Sequence, residues 1–156
     1  MEPKETIHFK SLPEIIAFAI TKEEEANQFY LEWAKKVKSQ AVGDTLLEFA
    51  AEEENHKKLL QEVQQGKSFS KEAKRVHDLK LADYFTATIP EKDMSYQDAL
   101  RIAIQKEIGA RELYHYLAEK VSDTDAKNLF INLEKEEALH KNRLEIIYDR
   151  DFMTEN

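Results

Sequence analysis

Two stretches of the chain decide its fold: residues 52–60 read EEENHKKLL, and residues 136–144 read EEALHKNRL. They lie 84 positions apart and agree at five of nine positions. At the same offset, residues 19–60 and 103–144 are identical at 14 of 42 positions without a gap. Unrelated sequences of such composition would agree at roughly a tenth of aligned positions. The chain therefore contains a duplicated unit, and a repeat constrains the architecture more strongly than composition does.

Each copy of the repeat has the pattern of two helices joined by a short loop. Only three glycines and three prolines occur among 156 residues, and apolar residues recur at helical spacing. Ser11 and Ser95 are suited to begin helices, as is Asp123 or Thr124, and Gly66 is suited to end one. The sequence predicts an all-α fold. The expected helices cover residues 11–38, 42–65, 96–121 and 124–148.

The connection between the two hairpins, residues 67–94, is too long for a tight turn. We expect it to cross the length of the bundle, with a short helical piece near residues 80–85. The second and third helices would then run parallel, as in four-helix bundles with one long crossover. We expect a single domain over residues 1–156 made of two duplicated antiparallel hairpins.

Composition excludes several kinds of site and partner. The chain has no cysteine, which excludes disulfides, thiolate zinc sites and iron–sulfur clusters. A net charge of −8 argues against nucleic-acid binding. The sequence has no apolar signal core, and no apolar run approaches the roughly 18 residues of a membrane span. We therefore expect a cytoplasmic protein without a membrane partner, in which oxygen and imidazole ligands hold any metal.

Both repeats place a Glu-x-x-His motif on their second helix: Glu53 with His56, and Glu137 with His140. Three residues are nearly one helical turn, so the carboxylate and the imidazole project from one face. Leucines and phenylalanines occupy the rest of that face in both copies. An apolar face is buried against other helices, and the motifs are therefore expected to point into the bundle.

The first helix of each repeat contributes one further glutamate, Glu23 or Glu107, seven residues before Tyr30 or Tyr114. Apolar residues at this spacing on both sides indicate that each glutamate faces inward. Four ionised carboxylates in one core would cost several kcal/mol each if unpaired. Two divalent ions would neutralise them, with one imidazole for each ion. Such a mixed oxygen and nitrogen set suits iron, manganese or zinc.

With these positions in this order on four helices, the chain resembles the rubrerythrin-like branch of the ferritin-like di-iron-carboxylate superfamily over about residues 11–148. The resemblance implies a ferritin-like bundle that binds two iron ions, with manganese or zinc as alternatives. The implied metal ligands are Glu23, Glu53, His56, Glu107, Glu137 and His140. Glu53 and Glu137 would bridge the ions. Tyr30 and Tyr114 would orient a terminal carboxylate or supply an electron, although aromatic residues at this spacing are equally typical of core packing.

Two departures from rubrerythrin peroxidases bear on function. Ala110 stands where those enzymes carry an additional carboxylate, which puts their peroxide-linked ligand switch in doubt. The chain also has no cysteine-rich rubredoxin module, so electrons would have to come from a separate donor such as a rubredoxin-like protein.

The leading hypothesis is an oxidoreductase that reacts with hydrogen peroxide or dioxygen and protects against oxidative stress. One alternative is a ferroxidase for iron storage or delivery, and another is a bundle that binds metal without turnover. The long crossover is compatible with a homodimer formed by exchange of hairpins.

Several polar residues near the predicted ligands have less certain roles. Glu52 and Glu136 adjoin ligands without sharing their helical face, and the sequence leaves a supporting role for them open. His115 lies beside Tyr114 and is expected to point away from the metal site.

Overall fold

The computed structural model describes residues 11–66 and 94–153 of the protein. The described helices are α1 (Leu12–Lys36), α2 (Gln40–Gln65), α3 (Tyr96–Lys120) and α4 (Thr124–Tyr148). No strand occurs in these two ranges, and the predicted all-α class is confirmed. The helical piece expected near residues 80–85 lies outside the described residues.

Short polar side chains define where the helices begin. Ser11, Ser95 and Asp123 each accept a hydrogen bond from the backbone N–H three residues later, at 3.4, 3.1 and 2.9 Å. Such bonds satisfy N–H groups that have no partner within the helix. Asp123, rather than Thr124, therefore caps α4.

The helix ends differ from the predicted bounds by up to two residues. α1 stops at Lys36 because Val37 is extended, with ψ of 145°. α2 begins at Gln40, earlier than predicted, because Ser39 caps it by accepting a 3.3 Å hydrogen bond from the N–H of Val42. Beyond α4, a π-helical turn at Asp149–Met153 continues the chain, which the sequence did not predict.

Contacts between helices establish their directions. Asn27 of α1 donates to the carbonyl of Ala50 in α2 at 2.7 Å, and Lys57 further along α2 lies 2.6 Å from the earlier residue Glu24. Positions rising along α1 thus meet positions falling along α2, so the two helices are antiparallel. α3 and α4 are related in the same way: His115 contacts Glu134, whereas Gln97 contacts Tyr148.

Helices α1 and α3 also run antiparallel, because Glu23 meets Tyr114 while Tyr30 meets Glu107. Since α1 is antiparallel to both α2 and α3, these two helices run parallel to each other. The end of α2 and the start of α3 therefore lie at opposite ends of the bundle, as the predicted long crossover requires.

The apolar core forms two clusters separated by a polar layer. One cluster includes Leu12, Ile15, Ile16, Leu60, Leu113, Leu117, Phe130 and Leu133. The other includes Phe29, Trp33, Leu46, Phe49, Leu100, Ala103, Leu144 and Ile147. On every helix, the predicted metal ligands fall between the residues of the two clusters. The core thus encloses the predicted site at both ends. Within the described ranges, no helix has the length and apolar composition of a membrane span.

The fully buried Leu60 tests how much this core contributes to stability. Truncation to alanine should lower the free energy of unfolding by about 2–5 kcal/mol, because it leaves a cavity between helices. Leu47, 48% exposed on the same helix, is the matched control and should cost less than about 1 kcal/mol. Urea denaturation of Leu60→Ala and Leu47→Ala measures both changes. Equal losses would contradict the assignment of Leu60 to the core.

Candidate metal centre

All six predicted ligands meet in the polar layer of the bundle. Each side chain is between 0 and 3% exposed, although every one is ionisable. They are contributed as one glutamate each from α1 and α3 and one Glu-x-x-His pair each from α2 and α4. Burial of this many ionisable groups in one layer is unfavourable unless something compensates their charge.

The ligand atoms divide into two overlapping sets, and the atoms of each set lie within 4.8 Å of one another. One set is Glu23, Glu53, His56 and Glu137. The other is Glu53, Glu107, Glu137 and His140. Glu53 and Glu137 belong to both sets, which is the geometry expected of carboxylates that bridge two ions. Glu23 and Glu107 each belong to one set, as terminal ligands would.

Each of these six residues also has one buried polar atom without a hydrogen-bond partner. The atoms are Glu23 Oε2, Glu53 Oε1, His56 Nδ1, Glu107 Oε2, Glu137 Oε1 and His140 Nδ1. Among the described residues, only the indole nitrogen of Trp33 shares this property. Buried polar groups are nearly always satisfied, and a bound cation would satisfy all six acceptors at once. The residues present therefore fit a two-metal site.

The two histidines direct Nδ1 into the site and Nε2 away from it. His56 Nδ1 lies 2.8 Å from Glu137 Oε1, and His140 Nδ1 lies 2.9 Å from Glu53 Oε1. A neutral imidazole with its proton on Nε2 would present the Nδ1 lone pair to a metal.

Each outward-facing imidazole nitrogen contacts a carboxylate of the other hairpin. His56 Nε2 donates to Glu136 of α4, and His140 Nε2 donates to Glu52 of α2. Carboxylates in this position fix the tautomer and orientation of a metal-binding histidine. The sequence left the role of Glu52 and Glu136 open, because a helical-face argument does not show contacts across two helices. Their recurrence beside the ligand in both repeats was the available signal.

The two tyrosines also act across the hairpins. Tyr30 of α1 donates to Glu107 Oε1 of α3 at 2.5 Å, and Tyr114 of α3 donates to Glu23 Oε1 of α1. Each phenol is 1% exposed. They contact the two terminal carboxylates, so their geometry matches the orienting role rather than packing alone.

His115 lies apart from the site. Its side chain is more than half exposed and pairs with Glu119 and Glu134 at 3.0 Å. It points away from the metal ligands, as its position beside Tyr114 predicted.

Comparison with known proteins shows which family has this arrangement. The profile of the family described as Rubrerythrin matches residues 14–148 of this chain. The chain belongs to the rubrerythrin family. The resemblance inferred from the six ligand positions and the two tyrosines is thereby confirmed.

Two solved structures share the fold of this rubrerythrin-family chain. One, described as a ferritin-like diiron-carboxylate protein from Thermotoga maritima, has a TM-score of 0.78 at 21% identity over 93% of this chain and 99% of that chain. The other, a hypothetical protein from Pyrococcus furiosus, has a TM-score of 0.72 at 26% identity over 89% of each chain. No curated protein matches the sequence. The predicted ferritin-like four-helix bundle is confirmed.

Burial and mutual repulsion make the bridging carboxyls hard to ionise. Burial, and then the charges of Glu137 and Glu23, raise the pKa of Glu53 well above its usual value. Burial, followed by the charges of Glu107 and Glu23, raises the pKa of Glu137 in the same way. For Glu107, burial acts to raise the pKa, but the close approach of Glu137, His140 and Tyr30 outweighs it and lowers the pKa.

Burial acts to lower the pKa of each histidine, and the nearby carboxylates act to raise it. Burial alone would lower the pKa of His56, but the close approach of Glu23 and the charges of Glu23 and Glu53 outweigh it and raise the pKa to about 10. For His140, burial acts to lower the pKa, and contact with Glu107 and Glu52 raises it above the usual value. In a metal-free chain, these shifts favour protons at the site in place of cations.

The two sides of the site differ. On the side of α1 and α3, a cavity reaches all four glutamates and neither histidine, with Ala19, Ala26 and Ala110 among its lining residues. On the side of α2 and α4, a groove over the imidazoles includes Leu139 and Arg143. Ala110 contributes only a methyl group to the lining of this cavity.

These pKa shifts predict that the stability of the metal-free chain falls as pH rises, whereas the stability of the metal-loaded chain does not. His56, Glu53 and Glu137 all have raised folded-state pKa values, so their stabilisation is present below the unfolded pKa and lost as pH rises through the folded pKa. From about pH 6.5 to about pH 9, the metal-free chain should lose about 1.4 kcal/mol per pH unit for each proton that only the folded state retains. The melting temperature of the zinc-loaded chain should not fall over this range, because metal replaces those protons.

Calorimetry with and without zinc measures both slopes. His56→Gln should flatten the metal-free slope, whereas the exposed His115→Asn should leave it unchanged. A metal-free melting temperature that rises with pH would refute the proton-filled site.

Replacement of a bridging carboxylate should separate stability from metal binding. Glu53→Gln replaces a carboxyl that resists ionisation with a neutral amide, so the metal-free variant should be at least as stable as the wild type. Loss of a residue that only hydrogen-bonds to a metal ligand lowers metal affinity by about 10- to 100-fold. Loss of a bridging ligand should lower the affinity for zinc by more than this. Glu54→Gln is the control, because Glu54 lies outside both ligand sets and pairs with Lys57. Zinc titration followed by calorimetry provides both measurements, and tight zinc binding by Glu53→Gln would contradict the bridging assignment.

Proposed function

We propose that this chain is a di-iron oxidoreductase that reduces hydrogen peroxide or dioxygen and thereby protects the cytoplasm against oxidative stress. The observation that carries the proposal is the set of six buried ligand atoms without partners, arranged in two groups that share Glu53 and Glu137. Membership of the rubrerythrin family supports iron as the metal. Manganese and zinc satisfy the same donor set and are the alternatives.

In this proposal, Glu23 and His56 complete the shell of one ion, and Glu107 and His140 complete the shell of the other. Two bound ferrous ions would supply the two electrons that, with two protons, convert one hydrogen peroxide into two waters. The remaining contributions belong to the protein: it positions the ligands, limits access and controls protons.

The tyrosines position the terminal carboxylates through their hydrogen bonds to Glu107 and Glu23. Burial, and then the charge of Glu107, raises the pKa of Tyr30 well above its usual value. Burial and the charge of Glu23 do the same for Tyr114. Both phenols therefore keep their protons and remain hydrogen-bond donors to the carboxylates.

The cavity on the glutamate side limits the size of the reactant. About 20 Å³ is open to the centre of a water-sized molecule, which is room for one or two waters. Bound metal would take up part of this space, so the cavity favours a small oxidant such as peroxide or dioxygen over an organic substrate.

The chain contains no cysteine, and its sequence includes no iron–sulfur or disulfide centre that could store electrons. Each turnover would therefore need two electrons from a separate donor, of which a rubredoxin-like protein is the kind we propose.

Anaerobic loading with two ferrous ions per chain, followed by hydrogen peroxide, tests the proposal. We expect oxidation of two irons for each peroxide consumed, seen as a rapid rise in near-ultraviolet absorbance, and a halt until reductant is added. Glu137→Ala should abolish the rapid phase, because it removes a ligand from both sets. Glu54→Gln should retain it.

The other functions considered give different results in the same experiment. Continued oxidation of many ferrous ions per chain, with ferric product accumulating, would identify a ferroxidase and refute the peroxide reductase. Oxidation no faster than that of free iron, by protein that holds two irons, would identify a bundle that binds metal without turnover.

A further inference from the structure

Two lysines that are equivalent in the repeat have different surroundings in the structure. Lys22 of α1 pairs with Glu25 one turn along its helix, at 3.0 Å. At the position equivalent to Glu25, α3 has Gly109, so Lys106 has no carboxylate one turn along its own helix. The duplication therefore supplies two lysines but only one such intrahelical partner.

Lys106 instead turns into the bundle over an aromatic ring. Its side chain is 7% exposed, and Nζ lies 4.5 Å from the centre of the Phe29 ring. The residue equivalent to Phe29 on α3 is Leu113, and Lys22 lies instead 5.3 Å from the centre of the Phe18 ring. In the parts of the chain that the structure describes, no carboxylate lies within ion-pair distance of the Lys106 ammonium.

The Lys106 side chain is one of those that line the cavity reaching the four glutamates. Lys22 and Glu25 also line it and compensate each other, and two divalent ions would compensate the four carboxylates. Lys22, Lys106 and Glu25 together then leave one positive charge in excess on this side of the site, and Lys106 is the lysine without an ion-pair partner among the described residues. Glu52 and Glu136 lie on the opposite, histidine side, where they are 41% and 52% exposed and therefore screened by solvent.

We propose that Lys106 is an anion-binding residue, which holds a small anion of two or three atoms in the cavity against the metal pair. This inference rests on the proposed function and makes it more specific, because it favours hydroperoxide over neutral dioxygen as the reactant. Hydrogen peroxide would bind with loss of one proton to solvent water. A buried ammonium suits this role, since a charge-assisted hydrogen bond is stronger where water is excluded.

Azide binding to the oxidised, iron-loaded protein tests this role without measuring turnover. Sodium azide is titrated at neutral pH into wild-type protein of known iron content, and the charge-transfer absorbance gives the dissociation constant. Lys106→Met keeps an aliphatic side chain over Phe29 but removes the charge, and should weaken azide binding by about 10- to 100-fold. Lys106→Arg should restore part of the affinity.

Lys36→Met is the matched control: Lys36 also lies over an aromatic ring, 5.1 Å from the centre of Trp33, but it does not line the cavity. It should change the azide dissociation constant by less than about twofold, because its side chain is 44% exposed and its charge is screened by solvent. Iron content and melting temperature are measured for every variant, so that a loss of iron is not counted as a loss of azide binding.

Three results would overturn the proposal: unchanged azide affinity in Lys106→Met, an equal loss in Lys36→Met, or no azide binding by wild-type protein that holds two irons. The last result would leave the di-iron function standing. Wild-type protein that takes up no iron would instead refute the proposed function and this inference together.

Discussion

The structure depends on the burial of four carboxylates in one layer of a helical bundle. Each carboxylate is at most 3% exposed, and apolar clusters close the layer at both ends. Water cannot solvate these charges, so protein contacts and a cation must do so. The tyrosines satisfy one oxygen of each terminal glutamate, which leaves the other oxygen for a metal. An unfavourable layer of this kind would be tolerated because it can bind metal.

The same layer joins the two halves of the duplicated chain. Tyr30 and Tyr114 each contact a glutamate of the opposite hairpin, and the two histidines each contact an opposite carboxylate. Within a hairpin, the helices are held by an extensive apolar interface as well as by polar contacts such as that of Asn27. Between hairpins, the polar contacts are concentrated at the site. Metal binding would thus strengthen the interface on which the four-helix arrangement depends.

The sequence was sufficient to predict the fold class, the six converging side chains and most helix starts, because each follows from a pattern along one helix. Glu53 and His56 share a face by spacing alone, and the repeat identifies the equivalent pair. Contacts between helices could not be predicted in this way. Glu52 and Glu136 lie off the ligand face of their own helices, yet an antiparallel neighbour brings each to a histidine. Local caps were also missed where the signal was a single serine, as at Ser39.

The duplication also explains why the two sides of the site can serve different purposes. On the histidine side, Glu52 and Glu136 preserve the symmetry of the repeat, and each orients one imidazole in the same way. On the cavity side, α3 has Gly109 at the position that corresponds to Glu25 of α1, which breaks that symmetry. Lys106 therefore lacks the intrahelical ion pair that Lys22 makes with Glu25. A symmetric ligand set holds two ions equivalently, whereas a reactant must approach in one orientation. Asymmetry in the cavity lining would provide such an orientation without changing the ligand set.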